Sequence, residues 1–558
     1  MTDDTPIGRV IATERHPTTT GAVRFWLSPD VRLKPFDFVR LTLAPQDKHE
    51  DIGEFYAIIH EIQQVSDEPS PLSGFVSADF GDSRIEPRLA RVVATYADAA
   101  VLFNTLDIEM PVPHGAQVHW PTADGVRQAL NMTDYNRSTP AGYITMSGPQ
   151  DGGITIPVDL DADYLVGPEG AHLNISGVSG LATKTSYAMF LVTALQQKQQ
   201  ASEERASFVI LNVKGSDLLR LHEESPDLTD AVRADWQKCG LAAEPLKKVT
   251  YFYPYADTPP YAQTKLDSDL VAANFASDRA FSYYYSVEEV VDRVRLLVED
   301  IDDPNQTLVS CADYCAERTN KDSSWARFRE QIREWADTTP DKKIPVVSWR
   351  RFSRLFGQRT RNSFFTEESV RATQRRQAPL RRMLDHLEPG AAVVVDIAQL
   401  PDYLQSFVVG DVIDLIRRAK LGDDLDDDAD RIDRPSLGTV VLFADELNKF
   451  APRQGQARSI TRHLREISER GRSEGIILFG AEQFRTGVDR QVTGNSSTHV
   501  FGRTTAVEAA RDEEIKGLPG GQTKRVPFLR KGELLVSHTR FSSGTLKLRF
   551  PRNAYRQN

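Results

Sequence analysis

Cysteine is scarce in this chain of 558 residues, which contains only Cys239, Cys311 and Cys315. Three cysteines exclude a scaffold built on disulfides and are typical of a reducing compartment, so a cytoplasmic location is expected. Cys311 and Cys315 are spaced as neighbours on one helix face. Buried thiols are expected there and not half of a metal site, because two further ligands are not evident.

Long apolar runs are also missing. Runs such as Val440–Ala444 are far shorter than the roughly 20 residues that a membrane-spanning helix needs, so no membrane segment is expected. The start Met1–Arg9 carries two aspartates and no apolar stretch, and no secretory signal is expected there. Basic residues are not in excess either, since 68 Lys and Arg stand against 79 Asp and Glu, a net charge of −11. General binding of polyanions is therefore excluded, and any contact with nucleic acid needs a local basic surface.

The first part of the chain, residues 1–150, is predicted to be a small barrel or sandwich of strands, because short β-branched and aromatic runs alternate with turn residues. These runs are Gly8–Thr13, Val23–Leu27, Phe38–Leu43 and Phe55–Ile62. A stretch rich in glycine and proline, residues 148–153, marks the predicted boundary.

The second part, residues 151–530, is predicted to be an α/β core with a parallel sheet, because continuous apolar runs alternate with helical patterns. The expected strands are Ala171–Ser176, Phe208–Val213, Val249–Tyr253, Ala392–Ile397, Thr439–Ala444, Ile476–Ala481 and His499–Gly502. Residues 215–385 are largely helical and are expected to form an insertion or a lid on that sheet. Residues 531–558 are the third predicted part.

A strand, a loop with glycines and an apolar helix follow one another from Leu173 to Leu191. This is the context of a P-loop, in which backbone N–H groups cradle phosphates, a lysine adds charge at the β/γ-phosphates and the next hydroxyl holds Mg²⁺. The predicted ATP-binding residues are Gly177, Ser179, Gly180, Thr183, Lys184, Thr185 and Ser186, with Thr185 as the hydroxyl for Mg²⁺. The loop is one residue longer than usual and Thr183 stands where glycine is expected, so an ordinary strand–turn–helix is the alternative.

A second motif, Gly438–Leu447, reads as a buried strand that ends in Asp445 and Glu446. In a P-loop enzyme the first acid belongs to the Mg²⁺ shell and the second polarises the attacking water. A pair of acids in a turn at a strand end is the alternative. The order of the two motifs along the chain favours an ATPase.

A third motif follows directly. A helical stretch, Ile460–Arg472, precedes the strand Ile476–Ala481, and Gln483 comes just after that strand. Ligands bind outside the carboxyl ends of parallel strands, so Gln483 is predicted to contact the γ-phosphate and the water. Arg470 and Arg472 are predicted to act as arginine fingers on an ATP held by a neighbouring subunit. The alternatives are a strand-end hydrogen bonder for Gln483 and a surface helix end for the arginines.

The segment Arg350–Arg382 is strongly basic. It holds ten arginines against two acids, a net charge of +8 within an acidic chain. Two explanations stay open. The segment is a helix surface paired with acidic neighbours or a subunit interface, or it faces nucleic acid or a partner, because arginine forks suit phosphate oxygens.

Taken as a set, Asp445-Glu446, Arg470-Gly-Arg472 and Ala481-Glu-Gln483 resemble the HerA/FtsK class of ring-shaped P-loop motors, and the HerA branch in particular. Further segments are similar to the HAS-type β-barrel that precedes HerA motors, to the long-loop P-loop of a bacterial subgroup and to the C-terminal brace of HerA proteins. These segments are Ile7–Thr13 with Val23–Leu27, Phe38–Leu41 and Phe55–Ile59 for the barrel, Leu165–Ser186 and Val213–Leu219 for the subgroup, and Gly532–His538 with Leu546–Pro551 for the brace.

The resemblance implies a RecA-like P-loop NTPase core in a homohexamer, with ATP and Mg²⁺ bound between subunits. It implies a translocase or helicase that threads duplex DNA and works with a separately encoded nuclease. The subgroup extends this to anti-phage defence with a nuclease or a sirtuin-type effector subunit. The alternative function is a hexameric nucleotide-binding scaffold that assembles an effector without moving DNA, which the long P-loop and the net charge of −11 favour.

Overall fold

The computed structural model describes residues 5–43, 52–66, 93–149, 153–178, 184–198, 206–298, 300–301, 303–367, 376–422, 437–454, 459–518 and 521–557. The chain divides into two compact units, each assembled from segments that are distant in sequence. The first unit comprises residues 1–161, 238–240 and 500–550, and the second comprises residues 162–237, 241–499 and 551–558. The three-part division at residues 150 and 530 stays a prediction.

The strands are β1 (Gly8–Ile11), β2 (Ala22–Leu27), β3 (Phe38–Thr42), β4 (Phe55–Ser66), β5 (Val93–Asn104), β6 (Gln117–His119), β7 (Ser138–Met146), β8 (Ile154–Asp161), β9 (Leu173–Ser176), β10 (Ser207–Asn212), β11 (Val249–Pro254), β12 (Ala280–Tyr284), β13 (Gln377–Pro379), β14 (Ala392–Asp396), β15 (Val440–Ala444), β16 (Ile476–Glu482), β17 (Thr498–Phe501), β18 (Glu533–His538) and β19 (Thr545–Arg549). The α-helices are α1 (Ala123–Ala129), α2 (Ala162–Leu165), α3 (Lys184–Lys198), α4 (Asp230–Lys238), α5 (Ser268–Ala276), α6 (Val287–Val291), α7 (Thr307–Arg318), α8 (Trp325–Thr338), α9 (Val346–Arg359), α10 (Asp402–Leu421), α11 (Leu447–Phe450), α12 (Ser459–Glu474), α13 (Arg490–Gly494), α14 (Ala506–Arg511) and α15 (Glu513–Lys516). Short 3₁₀ helices cover Val294–Leu297, Leu380–His386, Arg485–Gly487 and Gln522–Phe528.

The first unit contains a closed barrel of six strands in the order β1-β2-β5-β4-β3-β6. Its side chains alternate between the core and the outside. In β2, Val23 and Phe25 are buried, whereas Trp26 is 39% exposed. This is the pattern of strands that cover a core with one face only. The N-terminal barrel predicted from the sequence is confirmed.

The first unit also holds a four-stranded antiparallel sheet in the order β18-β19-β7-β8. Gly142 permits the close approach of β19 to β7. A Cβ atom at this position would lie 2.3 Å from the carbonyl oxygen of Arg549, and its φ of +140° is one that other residues rarely adopt. The C-terminal hairpin β18–β19 is thereby paired with β7 of its own chain.

The second unit is built on a parallel sheet in the order β13-β12-β11-β14-β10-β15-β16-β9. Strands β14 and β15 are buried at every residue, as expected for parallel strands that are covered on both faces. Helix α3 is buried along most of its length as well, from Ser186 to Leu195. The α/β fold class and the parallel sheet predicted from the sequence are confirmed, and each predicted strand of this core is present to within one or two residues at either end.

Residues 215–385 form the largely helical insertion that the sequence predicts, with helices α4 to α9. They also contribute three strands to the parallel sheet, and β12 and β13 among them were not predicted. Helices α7, α8 and α9 pack around a cluster of buried aromatic side chains, which are Trp325, Phe328, Trp349, Phe352 and Phe356. Cys311 and Cys315 on α7 are buried in the same cluster, which confirms the prediction of buried thiols.

Trp349→Ala is expected to lower the free energy of unfolding by about 3–5 kcal/mol, the usual cost of truncating a buried aromatic side chain. The Trp349 ring is fully buried, and its centroid lies 5.4 Å from that of Tyr314 and 6.1 Å from that of Trp335. Val347 on the same helix is 72% exposed, so Val347→Ala is a matched control with an expected change below about 0.5 kcal/mol. Urea unfolding followed by circular dichroism measures both, and equal shifts would contradict this packing.

Among the helices that the structure describes, none combines the length and the apolar composition that crossing a bilayer requires.

Candidate functional site

Three neighbouring parallel strands end together at one edge of the sheet of the second unit. Strand β16 lies between β9 and β15, with Glu482 level with Ser176 and Gly480 level with Ala444. The Gly177 N–H, just after β9, donates to the Glu482 carbonyl oxygen over 3.1 Å. The residues that follow these strands, Gly177, Asp445 and Gln483, therefore lie at the same carboxyl edge, where ligands of parallel sheets bind.

Helix α3 begins at this edge with Lys184 and Thr185. The Thr185 hydroxyl donates to Asp445 Oδ2 over 3.2 Å. Lys184 is 6% exposed, and its Nζ lies 3.8 Å from Asp445 Oδ1. The start of the helix thus brings a cation and a hydroxyl to the carboxylate that follows β15, although these residues are about 260 positions apart in sequence.

Glu446 adopts the left-handed backbone conformation, with a φ of +56°. Its backbone N–H donates to Asp445 Oδ1 over 2.8 Å, which fixes the turn between the strand and helix α11. Its Oε1 accepts a hydrogen bond from Gln483 Nε2 over 3.2 Å, and Lys214 Nζ lies 3.2 Å from the same oxygen. The Glu446 carboxylate is thereby held between the Gln483 amide and the Lys214 ammonium group.

Lys214 is the residue of this cluster for which the sequence analysis predicted no role. It follows strand β10, and its side chain is 61% exposed. Asn212 Nδ2 donates to the Gly215 carbonyl oxygen over 3.2 Å, which holds the loop that carries Lys214. The signal in the sequence was a lysine directly after a predicted strand whose carboxyl end lies at the same edge as the acids.

Buried polar pairs brace the strand ends beneath the cluster. Asn174 Nδ2 donates to Glu482 Oε2 over 3.2 Å, between β9 and β16. Asn212 Nδ2 donates to Asp396 Oδ1 over 2.8 Å, between β10 and β14. Burial raises the pKa of Asp396 to about 6. These contacts fix the relative positions of the strands from which the cluster extends.

Ser186 is directed to another part of the second unit. Its hydroxyl oxygen accepts from Asn553 Nδ2 over 3.0 Å and from Gln557 Nε2 over 3.5 Å. It is buried, at 4% exposure. The structure places it on α3 beside Thr185 but engaged with the C-terminal segment. The predicted loop residues Ser179, Gly180 and Thr183 lie outside the described residues.

Arg470 and Arg472 are not brought to this cluster. They lie in the last turns of α12, which ends just before β16 begins, so they lie near the amino-terminal edge of the sheet. Both side chains are exposed. Arg472 Nη1 donates to the Glu169 carbonyl oxygen over 2.8 Å. The predicted set of catalytic residues is therefore split between the two edges of the sheet within one chain.

The fold and the cluster together form one arrangement. In this α/β core a parallel sheet, a helix that begins with a lysine and a hydroxyl, and two acids after a neighbouring strand meet at one carboxyl edge. The arrangement can hold a phosphate-bearing ligand beside Lys184, offer oxygen ligands from Thr185 and Asp445, and present a carboxylate at Glu446.

Comparisons with known proteins bear on the fold. No protein-family model and no curated protein matches the chain. Among solved structures it is similar to the unbound bacterial conjugative coupling protein TrwB, with 12% identity and a TM-score of 0.43 over 72% of this chain and 89% of that one. It is similar to VirB4 of Thermoanaerobacter pseudethanolicus, with 12% identity and a TM-score of 0.41 over 75% and 97% of the two chains.

A third similar structure is the genome packaging NTPase B204 of Sulfolobus turreted icosahedral virus 2 in complex with ATP-gammaS. It has 13% identity and a TM-score of 0.22 over 31% of this chain and 72% of that one. At these values the similarities assign neither a family nor a function to this chain.

Proposed function

We propose that this chain is an ATP-hydrolysing motor of the HerA/FtsK type that translocates duplex DNA. The observation that carries the proposal is the convergence of Lys184, Thr185, Asp445, Glu446 and Gln483 at one carboxyl edge. Five polar side chains from three distant segments meet there, and each has the chemistry that its motif predicts. The sequence resemblance supplies the motor type and the DNA substrate.

The residues present fit Mg²⁺ and the phosphates of ATP. The Thr185 hydroxyl and the Asp445 carboxylate, 3.2 Å apart, are the oxygen ligands that Mg²⁺ prefers, bound directly or through water. Lys184 is proposed as the point charge for the β/γ-phosphates. Bound Mg²⁺ would offset the charge that develops on the phosphate oxygens.

Glu446 is proposed as the general base. Its carboxylate accepts the proton of the attacking water, and its position is set by Gln483 and Lys214, which both contact Oε1. The second oxygen, Oε2, is then the one directed to water. Gln483 is proposed to contact the γ-phosphate as well, because it directly follows β16, which lies between β9 and β15.

Lys214→Ala is expected to lower kcat about two- to fivefold with KM nearly unchanged, because it removes from Glu446 the contact of a largely exposed ammonium group, worth about 0.2–1 kcal/mol, without touching the phosphate site. Lys214→Arg is expected to restore most of the rate. Lys248, which is 59% exposed and 3.4 Å from Glu388, is the matched control. Steady-state ATP hydrolysis measures all three. A full rate in Lys214→Ala, or a loss that Lys248→Ala shares, would remove Lys214 from its positioning role.

Arg470 and Arg472 are proposed to act on the ATP of a neighbouring subunit of a homohexamer. Support comes from the resemblance and from their place near the amino-terminal edge, away from the ATP site of their own chain. A nuclease or sirtuin-type effector subunit, a role in anti-phage defence and a cytoplasmic location are the remaining parts of the proposal, and they rest on the resemblance and on composition alone.

Translocation is tested by displacement of a triplex-forming oligonucleotide from linear duplex DNA. The expected result is displacement that needs ATP and Mg²⁺ and that Glu446→Gln abolishes. Hydrolysis of ATP without displacement would leave an ATPase and contradict the translocase. The ring would then be the nucleotide-binding scaffold that holds an effector.

A further inference from the structure

The basic segment Arg350–Arg382 separates into two groups in the structure. Four of its arginines form ion pairs with acids of the second unit, namely Arg359 with Asp300, Arg376 with Asp278, Arg381 with Glu289 and Arg382 with Asp385. Arg371 and Arg375 lie outside the described residues. The remaining four, Arg350, Arg351, Arg354 and Arg361, are exposed on or just after helix α9.

Arg350, Arg351 and Arg354 share one face of the helix. At about 100° per residue their side chains fall within an arc of roughly 100°, opposite the buried Trp349, Phe352 and Phe356. Arg361 follows the last helical residue, Arg359, by two positions. We call the exposed Arg350, Arg354 and Arg361 together the arginine face.

The charge of the arginine face is not neutralised locally. From Lys342 to Thr366 the sequence has seven basic residues and no acidic one. Within the described ranges, Arg350, Arg354 and Arg361 form no hydrogen bond or ion pair with another side chain. By contrast, the exposed Arg327 on the adjacent helix α8 pairs with Glu330 and Glu334. A chain with a net charge of −11 thus keeps a concentrated positive surface on one helix.

The composition of the face favours phosphate over protein as its partner. The core of a protein interface is depleted in charged residues and enriched in aromatic ones. The arginine face has no aromatic side chain among its members, and Val347 is the exposed apolar residue within its arc. Arginine forks match phosphate oxygens in a bidentate manner.

We infer that the arginine face of the helical insertion binds the phosphate backbone of nucleic acid, at a site separate from the ATP-binding edge. The contacts are charge-based and independent of sequence. The inference does not depend on ATP hydrolysis, since a positively charged surface binds nucleic acid whether or not the chain hydrolyses ATP.

The test is the binding of a fluorescent linear duplex of mixed sequence to the full-length chain over a series of salt concentrations. Arg350→Ala, Arg354→Ala and Arg361→Ala together are expected to weaken binding at least about tenfold at low salt. They should also reduce the slope of log K against log salt by about 3, because each phosphate contact contributes about 0.9. The triple replacement by lysine keeps the charges and is expected to retain most of the affinity.

A control with the same change in net charge is Arg233→Ala, Arg327→Ala and Arg382→Ala, which removes exposed arginines that are already paired with acids. Its DNA affinity is expected to stay within about twofold of the parent, because paired charges contribute little to counterion release. ATP hydrolysis without DNA is expected to be unchanged in both triple variants. The DNA-binding inference and the ATPase proposal can therefore fail independently of each other. If the triple alanine variant of the arginine face kept the parental DNA affinity and salt slope, the inference would be overturned. It would also be overturned if that variant lost self-association or a protein partner while its DNA binding stayed intact.

Discussion

Glu446→Gln is expected to lower ATP hydrolysis by about 10²–10⁴-fold, the usual contribution of a positioned general base. Glutamine has nearly the shape of glutamate and keeps an oxygen that accepts from Gln483, 3.2 Å from Oε1 in the parent. It cannot take a proton from water. Binding of ATP is expected to persist, since Lys184 and Thr185 are unchanged.

Steady-state phosphate release and binding of a fluorescent ATP analogue measure the two effects separately. Glu469 on helix α12 is an exposed glutamate away from the acid pair, so Glu469→Gln is the control and should hydrolyse ATP at the parental rate. Hydrolysis that survives in Glu446→Gln would take the role of base away from Glu446. Loss of binding together with hydrolysis would show that the substitution disturbs the turn after Asp445.

The second large effect is expected for Lys184→Ala. Lys184 is 6% exposed, and a hydrogen bond from a buried ammonium group to a phosphate is worth about 1.5–3 kcal/mol. ATP is therefore expected to bind about 10- to 100-fold more weakly. Hydrolysis falls with it at any concentration of ATP, because the charge beside the β/γ-phosphates is lost.

Lys198 is the last residue of the same helix and is exposed. Lys198→Ala is therefore the matched control, and its ATP affinity is expected to be unchanged. Titration of each variant with the fluorescent analogue in the presence of Mg²⁺ gives the dissociation constants. Equal affinity in Lys184→Ala and the parent would contradict the placement of the phosphates at the start of α3.

The sheet was predictable because its strands are continuous apolar runs. Val440–Ala444 and Ala392–Asp396 are buried at every residue, and their short length and valine content favour a buried strand over a buried helix. Strand β12, Ala280–Tyr284, was missed because its aromatic and serine residues sit among helical patterns of the insertion. Strand β13 has three residues, too few for a periodicity.

The carboxyl-edge residues of the site were predictable for a similar reason. Asp445 and Gln483 each follow a strong strand signal, and the ends of neighbouring parallel strands must meet at one edge. Lys214 also follows a predicted strand, but it belongs to none of the three motifs, and its contact with Glu446 is seen only in the structure. The hydrogen bond from Asn553 to Ser186 could likewise not be predicted, since no local pattern in the sequence indicates a contact across 367 positions.

The most direct test of the central claim is Mg²⁺-dependent ATP hydrolysis by the full-length chain, with and without linear duplex DNA, beside Glu446→Gln. We expect turnover that DNA stimulates and that the glutamine variant abolishes under both conditions. Turnover that is absent, or present and indifferent to DNA, would contradict a DNA motor and leave a nucleotide-binding scaffold in its place.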